Sequence, residues 1–151
     1  GVSKNIVPSC CVRKILIPLS YMFPNLPLSA KNQSVMGIKN KKYNELKDLC
    51  IYNYSGYIKL ATGRECLSAA LSLPKIIKSF TTPVIAFHDM DDNITDPYIT
   101  QLFIDNCKSK DKSFIPITDS HHSLLLCNDD HTNHPELIIK TIIEWIYDRL
   151  K

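Results

Sequence analysis

Glycine is scarce in this chain of 151 residues: there are four, at positions 1, 37, 56 and 63. No two of them fall within five positions of each other, so no motif built on a close glycine pair exists here. Charge of one sign is lacking too. Lys and Arg number 18 against 15 Asp and Glu, a formal net charge of +3, which is too weak to argue for nucleic acid. The lysines are scattered, and the one dense basic run, "KNKK" at 39–42, reads as a solvated loop. No apolar run reaches the ~18 residues of a membrane span. The best candidate, "ILIPLSYMF" at 15–23, is short and is interrupted by Pro18. The opening "GVSKNIVPSC" lacks the charged-then-apolar order of a signal peptide, which leaves a cytoplasmic or membrane-peripheral location as the expectation. Six cysteines, at 10, 11, 50, 66, 107 and 127, contain no CxxC. That argues against a cysteine-built zinc site and, with Cys10 and Cys11 adjacent, against a disulfide framework; reduced, core-filling thiols are expected. There is no internal repeat and no low-complexity tract.

What is present is an ordinary globular composition, 44% hydrophobic and 22% charged, in a chain long enough to bury a core. Its texture changes near residue 80. In 1–80, "VRKILIPLSYMF" reads as an apolar helix bent at Pro18 and "NLPLSAKNQS" (25–34) as loop. "NKKYNELKDLCIYN" spaces Tyr43, Leu46, Leu49 and Cys50 as a helical stripe. "GRECLSAALSLPKIIKSF" (63–80) places Cys66, Ala69, Ala70 and Leu73 on one face, with Pro74 ending or bending that helix. In 81–151, strand and helix alternate. "TPVIAFHD" is a continuous apolar run suited to a strand buried on both faces. Asp96 followed by Pro97 starts a helix carrying Ile99, Leu102, Phe103 and Cys107 along one stripe. "KSFIPIT" (112–118) is a second strand. Pro135 opens a last helix with Ile138, Ile139, Ile142, Trp145 and Ile146 on its apolar face. This order predicts the end of an α/β sheet with right-handed crossovers.

In such sheets functional groups gather beyond the carboxyl ends of the strands. After the first strand comes "DMDDNITD" (89–96), with four aspartates in eight positions. After the second comes "TDSHHSLL" (118–125), with two histidines. An acidic loop and a histidine loop on consecutive parallel strands can orient an imidazole. The carboxylate accepts from one ring nitrogen and fixes the tautomer, which frees the other nitrogen to act as a base. Residue types alone leave Asp91 or Asp92, and His121 or His122, open for those roles. A separate cluster, Asp129, Asp130, His131 and His134 in "NDDHTNH", could hold Zn or Ni but reads first as a polar loop that caps the last helix.

The stretch "LPKIIKSFTTPVIAFHDMDDNITDPYITQLFIDNCKSKDKSFIPITDSHHSLL" resembles the C-terminal part of monoacylglycerol lipase and lysophospholipase-like α/β-hydrolases. The likeness rests on the "LPK" segment, the strand end at His88, the following Asp, the Asp–Pro helix start, the "DK" turn and the His in the next loop. Upstream, "ILIPLSYMFPNLPLS" resembles the helical cap of these lipases with its "PNL" turn. "IYNYSGYIKLATGRECLSA" resembles the stretch that follows, with Ser-Gly-Tyr in place of Asp-Pro-Leu. The resemblance implies a helical cap and lead-in helix over 1–80 and a C-terminal α/β-hydrolase core portion over 81–151. It places the catalytic acid on Asp92 and the base on His122, Asp89 where glycine is usual, and Asp96 as a helix cap. It also implies a lipid ester substrate (a monoacylglycerol or lysophospholipid), no metal or organic cofactor, and an acyl tunnel lined by Ile15, Leu16, Leu19, Met22 and Phe23.

Such enzymes need a serine in G-x-S-x-G on a strand-to-helix turn, and the chain contains no such motif. The expectation is that these residues start within the cap, after the nucleophile elbow, and that the chain alone is inactive. Its partners would then be the missing N-terminal half or another copy, joined through an exposed sheet edge. A non-catalytic α/β-hydrolase-like binding module is the competing reading.

Overall fold

The computed structural model describes residues 8–31, 41–52, 54, 56–120, 122–126 and 134–151, with backbone only for 28–31, 41, 44, 47 and 48. Helix α1 spans Cys10–Met22 and keeps Pro18 inside it. A short strand β1, Pro27–Lys31, follows. Next come helix α2, Lys41–Leu49, strand β2, Tyr57–Lys59, and helix α3, Leu60–Ile77. The second half runs β3 (Val84–Asp89), α4 (Pro97–Asn106), β4 (Lys112–Ile117) and α5 (His134–Arg149).

Two features of the first half differ from the sequence expectation. The segment read as loop at 25–34 holds β1, which pairs antiparallel with β2 through Pro27↔Lys59 and Lys31↔Tyr57. The five residues of Pro27–Lys31 oppose the three of Tyr57–Lys59, so the ladder is bulged. Nothing local in "PLSAK" demands a strand; the partner, some 30 positions away, supplies it. Pro27 stands at the strand's first position, where a missing N–H is tolerated. Helix α3 begins at Leu60 and runs through Pro74 to Ile77. Two of its first-turn N–H groups are satisfied by the segment that follows α1: Leu60 donates to the Leu26 carbonyl at 2.9 Å and Ala61 to that of Pro24 at 3.1 Å. Helices α1 and α3 are joined through Arg64, which stacks 4.0 Å over the Tyr21 ring and donates to the Oγ of buried Ser20.

The second half is a parallel pair. β3 and β4 run in register from Val84↔Lys112 to Asp89↔Ile117. Among the described residues this sheet has two strands, so each strand keeps one edge without a neighbour. Helix α4 crosses between them. Asp96 caps its N-terminus, accepting from the Tyr98 N–H at 3.0 Å, with Pro97 in the first turn. At its other end Lys112 Nζ donates to the Asp105 and Cys107 carbonyls, 3.0 Å each. Ile104 of α4, Cys107 at its C-cap, Ile117 of β4 and Ile138 of α5 are buried, and Phe80 packs edge-on against Phe103 at 5.1 Å.

The apolar faces are not all covered. Leu46 and Leu49 of the α2 stripe are exposed, as are Ile139, Ile143 and Ile146 on α5. Of the five described cysteines, all free, only Cys107 is buried; Cys10, Cys11, Cys50 and Cys66 are exposed, contrary to their expected place in the core. Cys127 lies outside the described residues.

Candidate active site

Parallel register puts the ends of β3 and β4 side by side, so the loops that leave them must meet. Three devices set the first loop. Met90 N–H continues the ladder onto the Ile117 carbonyl at 2.8 Å. Asp89 turns its carboxylate inward and accepts from the Asp91 N–H at 2.7 Å. Asp92 then forms an Asx-type turn, its Oδ1 accepting from the N–H groups of Ile94 (2.7 Å) and Thr95 (3.0 Å). The second loop departs through Asp119, the one non-glycine described residue with positive φ, at 62°. Asp tolerates that conformation better than most residues. The N–H of fully buried Ser120 then donates back across 31 positions to Asp89 Oδ2 at 2.5 Å. Asp89 therefore fastens one loop to the other. Its φ is not positive, so the backbone freedom expected of a glycine stand-in is not what the position uses; the side chain is.

These constraints bring His122 over Asp92, with Nδ1 2.9 Å from Oδ2. Asp91 is exposed and its N–H donates to Asp89 Oδ1, whereas Asp92 is the carboxylate facing the ring. His121 lies outside the described residues. The Thr95 hydroxyl donates to the same Asp92 oxygen at 2.5 Å. His88 reaches it as well, through Nε2 at 3.1 Å, while its Nδ1 lies 2.7 Å from the Thr100 hydroxyl on α4. The Asp92 side chain is only 3% exposed, against 39% for His122.

Proton positions follow by elimination. The single Thr95 hydroxyl proton is used on Asp92, so Thr95 Oγ1 can only accept from His88 Nε2 (3.2 Å) and His122 Nδ1 (3.4 Å). Both of those nitrogens therefore carry hydrogen. His122 is the Nδ1–H tautomer, and its Nε2 makes no hydrogen bond among the described residues. Burial acts to raise the Asp92 carboxyl. Hydrogen bonds from the Thr95 hydroxyl, His122 and the N–H groups of Thr95 and Ile94 outweigh it and hold Asp92 well below the ordinary carboxylate range. An ionised, fully engaged carboxylate thus accepts from Nδ1 of the His122 ring, and among the described residues Nε2 has no partner.

The pair opens on a cleft of about 140 Å³ lined by Phe87, His88, Asp89, Asp92, Thr95, His122 and Leu124. That is below the ~300 Å³ at which ligand pockets begin. The five residues of α1 and its C-cap expected to line an acyl tunnel are not among the lining residues, and Ile15, Met22 and Phe23 are 69%, 71% and 52% exposed. Asp129, Asp130 and His131 lie outside the described residues, while His134 Nδ1 is 2.8 Å from Ser120 Oγ. Among the described residues no group of three or more His, Cys, Asp or Glu could hold a metal, and no helix is long and apolar enough to cross a membrane.

A parallel strand pair with an acid loop and a histidine loop at its carboxyl end, preceded by a helical segment, defines the C-terminal part of an α/β-hydrolase. Residues 2–130 match the model of the hydrolase family described as serine aminopeptidase, S33, and the chain belongs to that family. A Schizosaccharomyces pombe protein described as "Putative monoglyceride lipase" is 24% identical over 147 residues, covering 95% of this chain and 37% of that protein. The crystal structure of a soluble variant of monoglyceride lipase from Saccharomyces cerevisiae, in complex with a substrate analog, superposes with a TM-score of 0.76 at 19% identity. The match covers 98% of this chain and 52% of that one. Monoacylglycerol lipase from Paleococcus ferrophilus gives 0.74 at 16% identity, over 95% and 54%. The chain thus spans about a third to a half of the length of these relatives.

His88, Thr100 and the staple role of Asp89 were not anticipated from the sequence. The register of the two strands is the signal that could have found Asp89, because it places that residue opposite Ile117 and three positions from Ser120.

Proposed function

We propose that these residues supply the acid and base of a serine hydrolase that cleaves fatty-acyl esters, with a monoacylglycerol or a lysophospholipid as substrate. The observation that carries the reading is the 2.9 Å contact from His122 Nδ1 to a buried, ionised Asp92, with Nε2 left free at a cleft. In this reading His122 Nε2 takes the proton of a serine hydroxyl as its oxygen attacks the ester carbonyl, and returns it to the departing glycerol oxygen. The same nitrogen then deprotonates water, which releases the fatty acid from the acyl-enzyme. Asp92 keeps the ring in the productive tautomer and stabilises the imidazolium formed in each step.

The serine comes from outside the 151 residues, since they contain no G-x-S-x-G. Residues 1–80 act as cap and lead-in helix and 81–151 as part of the core. The uncovered apolar side chains of α1, α2 and α5 and the edges of the β3–β4 pair that have no neighbour among the described residues face the remainder of the hydrolase or a second copy. Ile15, Leu16, Leu19, Met22 and Phe23 contact the acyl chain once that cover is in place.

The test is hydrolysis of a short-chain p-nitrophenyl ester by the pure 151-residue chain. No turnover above buffer is expected. Turnover abolished by His122→Ala would show that the nucleophile lies within these residues and overturn this assignment.

A further inference from the structure

Asp92 Oδ2 serves two imidazoles rather than one. His122 lies 2.9 Å away and His88, 11% exposed, lies 3.1 Å away, both lining the same cleft. The proton count above makes His88 an Nε2–H donor, so its Nδ1 accepts from the Thr100 hydroxyl at 2.7 Å. A directed chain therefore runs Thr100 Oγ–H to His88 Nδ1, His88 Nε2–H to Asp92 Oδ2, with His122 Nδ1–H donating to the same oxygen. It begins on α4, passes through the last turn of β3 and ends at the cleft.

We infer that His88 is a positioning residue that sets the base strength of His122 through their shared carboxylate oxygen. Every donor on Oδ2 withdraws charge from it, and the imidazolium of His122 is stabilised by whatever charge remains. With Thr95 and His88 both donating, Asp92 holds the extra proton of His122 less tightly than a carboxylate with one donor would. Among the described residues the titratable groups lining the same cleft are Asp89, Asp92, His88 and His122. The Asp89 carboxylate is engaged by backbone N–H groups, including that of buried Ser120. Thr100, from α4, fixes the His88 tautomer without carrying charge. The Oδ1 side of Asp92 is held by two backbone N–H groups, so losing His88 leaves the carboxylate in place and changes its electron density.

This inference rests on His122 being the base, but its readout needs no turnover. Long-range 1H–15N spectra of the 151-residue chain report the tautomer and titration midpoint of each ring. In the unaltered chain His88 is expected as Nε2–H at neutral pH. His88→Leu should raise the His122 midpoint by roughly half a unit to one unit. His88→Gln, whose amide can still donate to Oδ2, should stay within about a third of that shift. Thr100→Val should release His88 to a mixture of tautomers and move His122 part of the way, whereas Thr100→Ser should not. An Nδ1–H tautomer for His88, or a folded His88→Leu chain whose His122 midpoint does not move or falls, overturns the inference. If the tautomers and shifts appear as stated and the ester assays nonetheless fail in every context, it is the hydrolase reading that fails and the relay that stands.

Discussion

Replacing Asp89 by alanine should unfasten the two loops that carry Asp92 and His122. Its carboxylate is 1% exposed. Oδ2 takes the N–H of Ser120 at 2.5 Å and Oδ1 that of Asp91 at 2.7 Å. Hydrogen bonds to a charged acceptor contribute ~1.5–3 kcal/mol each, and a buried N–H left without a partner costs ~1–3 kcal/mol. Ser120 is fully buried, so its N–H finds no water when Asp89 is truncated. Asp91 is exposed, and its N–H can turn to solvent at little cost. The loss is therefore dominated by the Ser120 contact and comes to about 3 kcal/mol, a large part of the ~5–15 kcal/mol that holds a domain folded. Asp89→Asn keeps one acceptor oxygen and should lose about half as much. Asp89→Gly, the residue expected from the family resemblance, removes the same acceptors and adds unfolded-state entropy, so it should be no milder than alanine. Urea denaturation followed by far-UV circular dichroism reads this directly. With a slope of ~2 kcal/mol per molar, the alanine midpoint should fall by about 1.5 M. An alanine variant within ~0.5 kcal/mol of the unaltered chain would refute the staple.

Acid should weaken the fold through Asp92. Its folded-state carboxyl titrates below the unfolded one, so as pH falls the unfolded chain binds the proton first. The associated stability is present above the unfolded carboxylate value of 3.8 and is lost progressively as pH drops below it. Urea midpoints at pH 6 and pH 3.5 should therefore differ more for the unaltered chain than for Asp92→Asn; equal differences would contradict the assignment. Asp119, at φ 62°, should accept glycine without loss, whereas valine there should cost ~1–2 kcal/mol. Thermal melts with the two variants indistinguishable would show that the turn relaxes.

The second half of the molecule is legible in the sequence because its signals are local. "PVIAF" is apolar throughout, Asp96 and Pro97 mark a helix start in adjacent positions, and "KSFIPI" repeats the strand pattern. Given two consecutive parallel strands, the meeting of the loops that hold Asp92 and His122 follows from topology. The features that stayed hidden depend on distant partners. β1 exists because β2 pairs with it, and no residue of "PLSAK" announces that. Asp89 resembles its three neighbouring aspartates until Ser120 is placed beside it. His88 sits at the strand end, where the direction of its ring depends on the path of α4 and on Thr100. The exposed cysteines follow from helix faces that meet nothing among the described residues.

The 15N spectrum of the His122 ring, recorded near neutral pH on the unaltered chain and on Asp92→Asn, tests the central claim most directly. A carboxylate at Asp92 requires hydrogen on Nδ1, so that a neutral His122 ring has its bare nitrogen at Nε2. An amide there presents an N–H in place of one acceptor and should drive His122 to the opposite tautomer. Nδ1–H in the unaltered chain that switches to Nε2–H in the variant is the result this account predicts. Nε2–H from the outset, or a tautomer indifferent to the substitution, would contradict it.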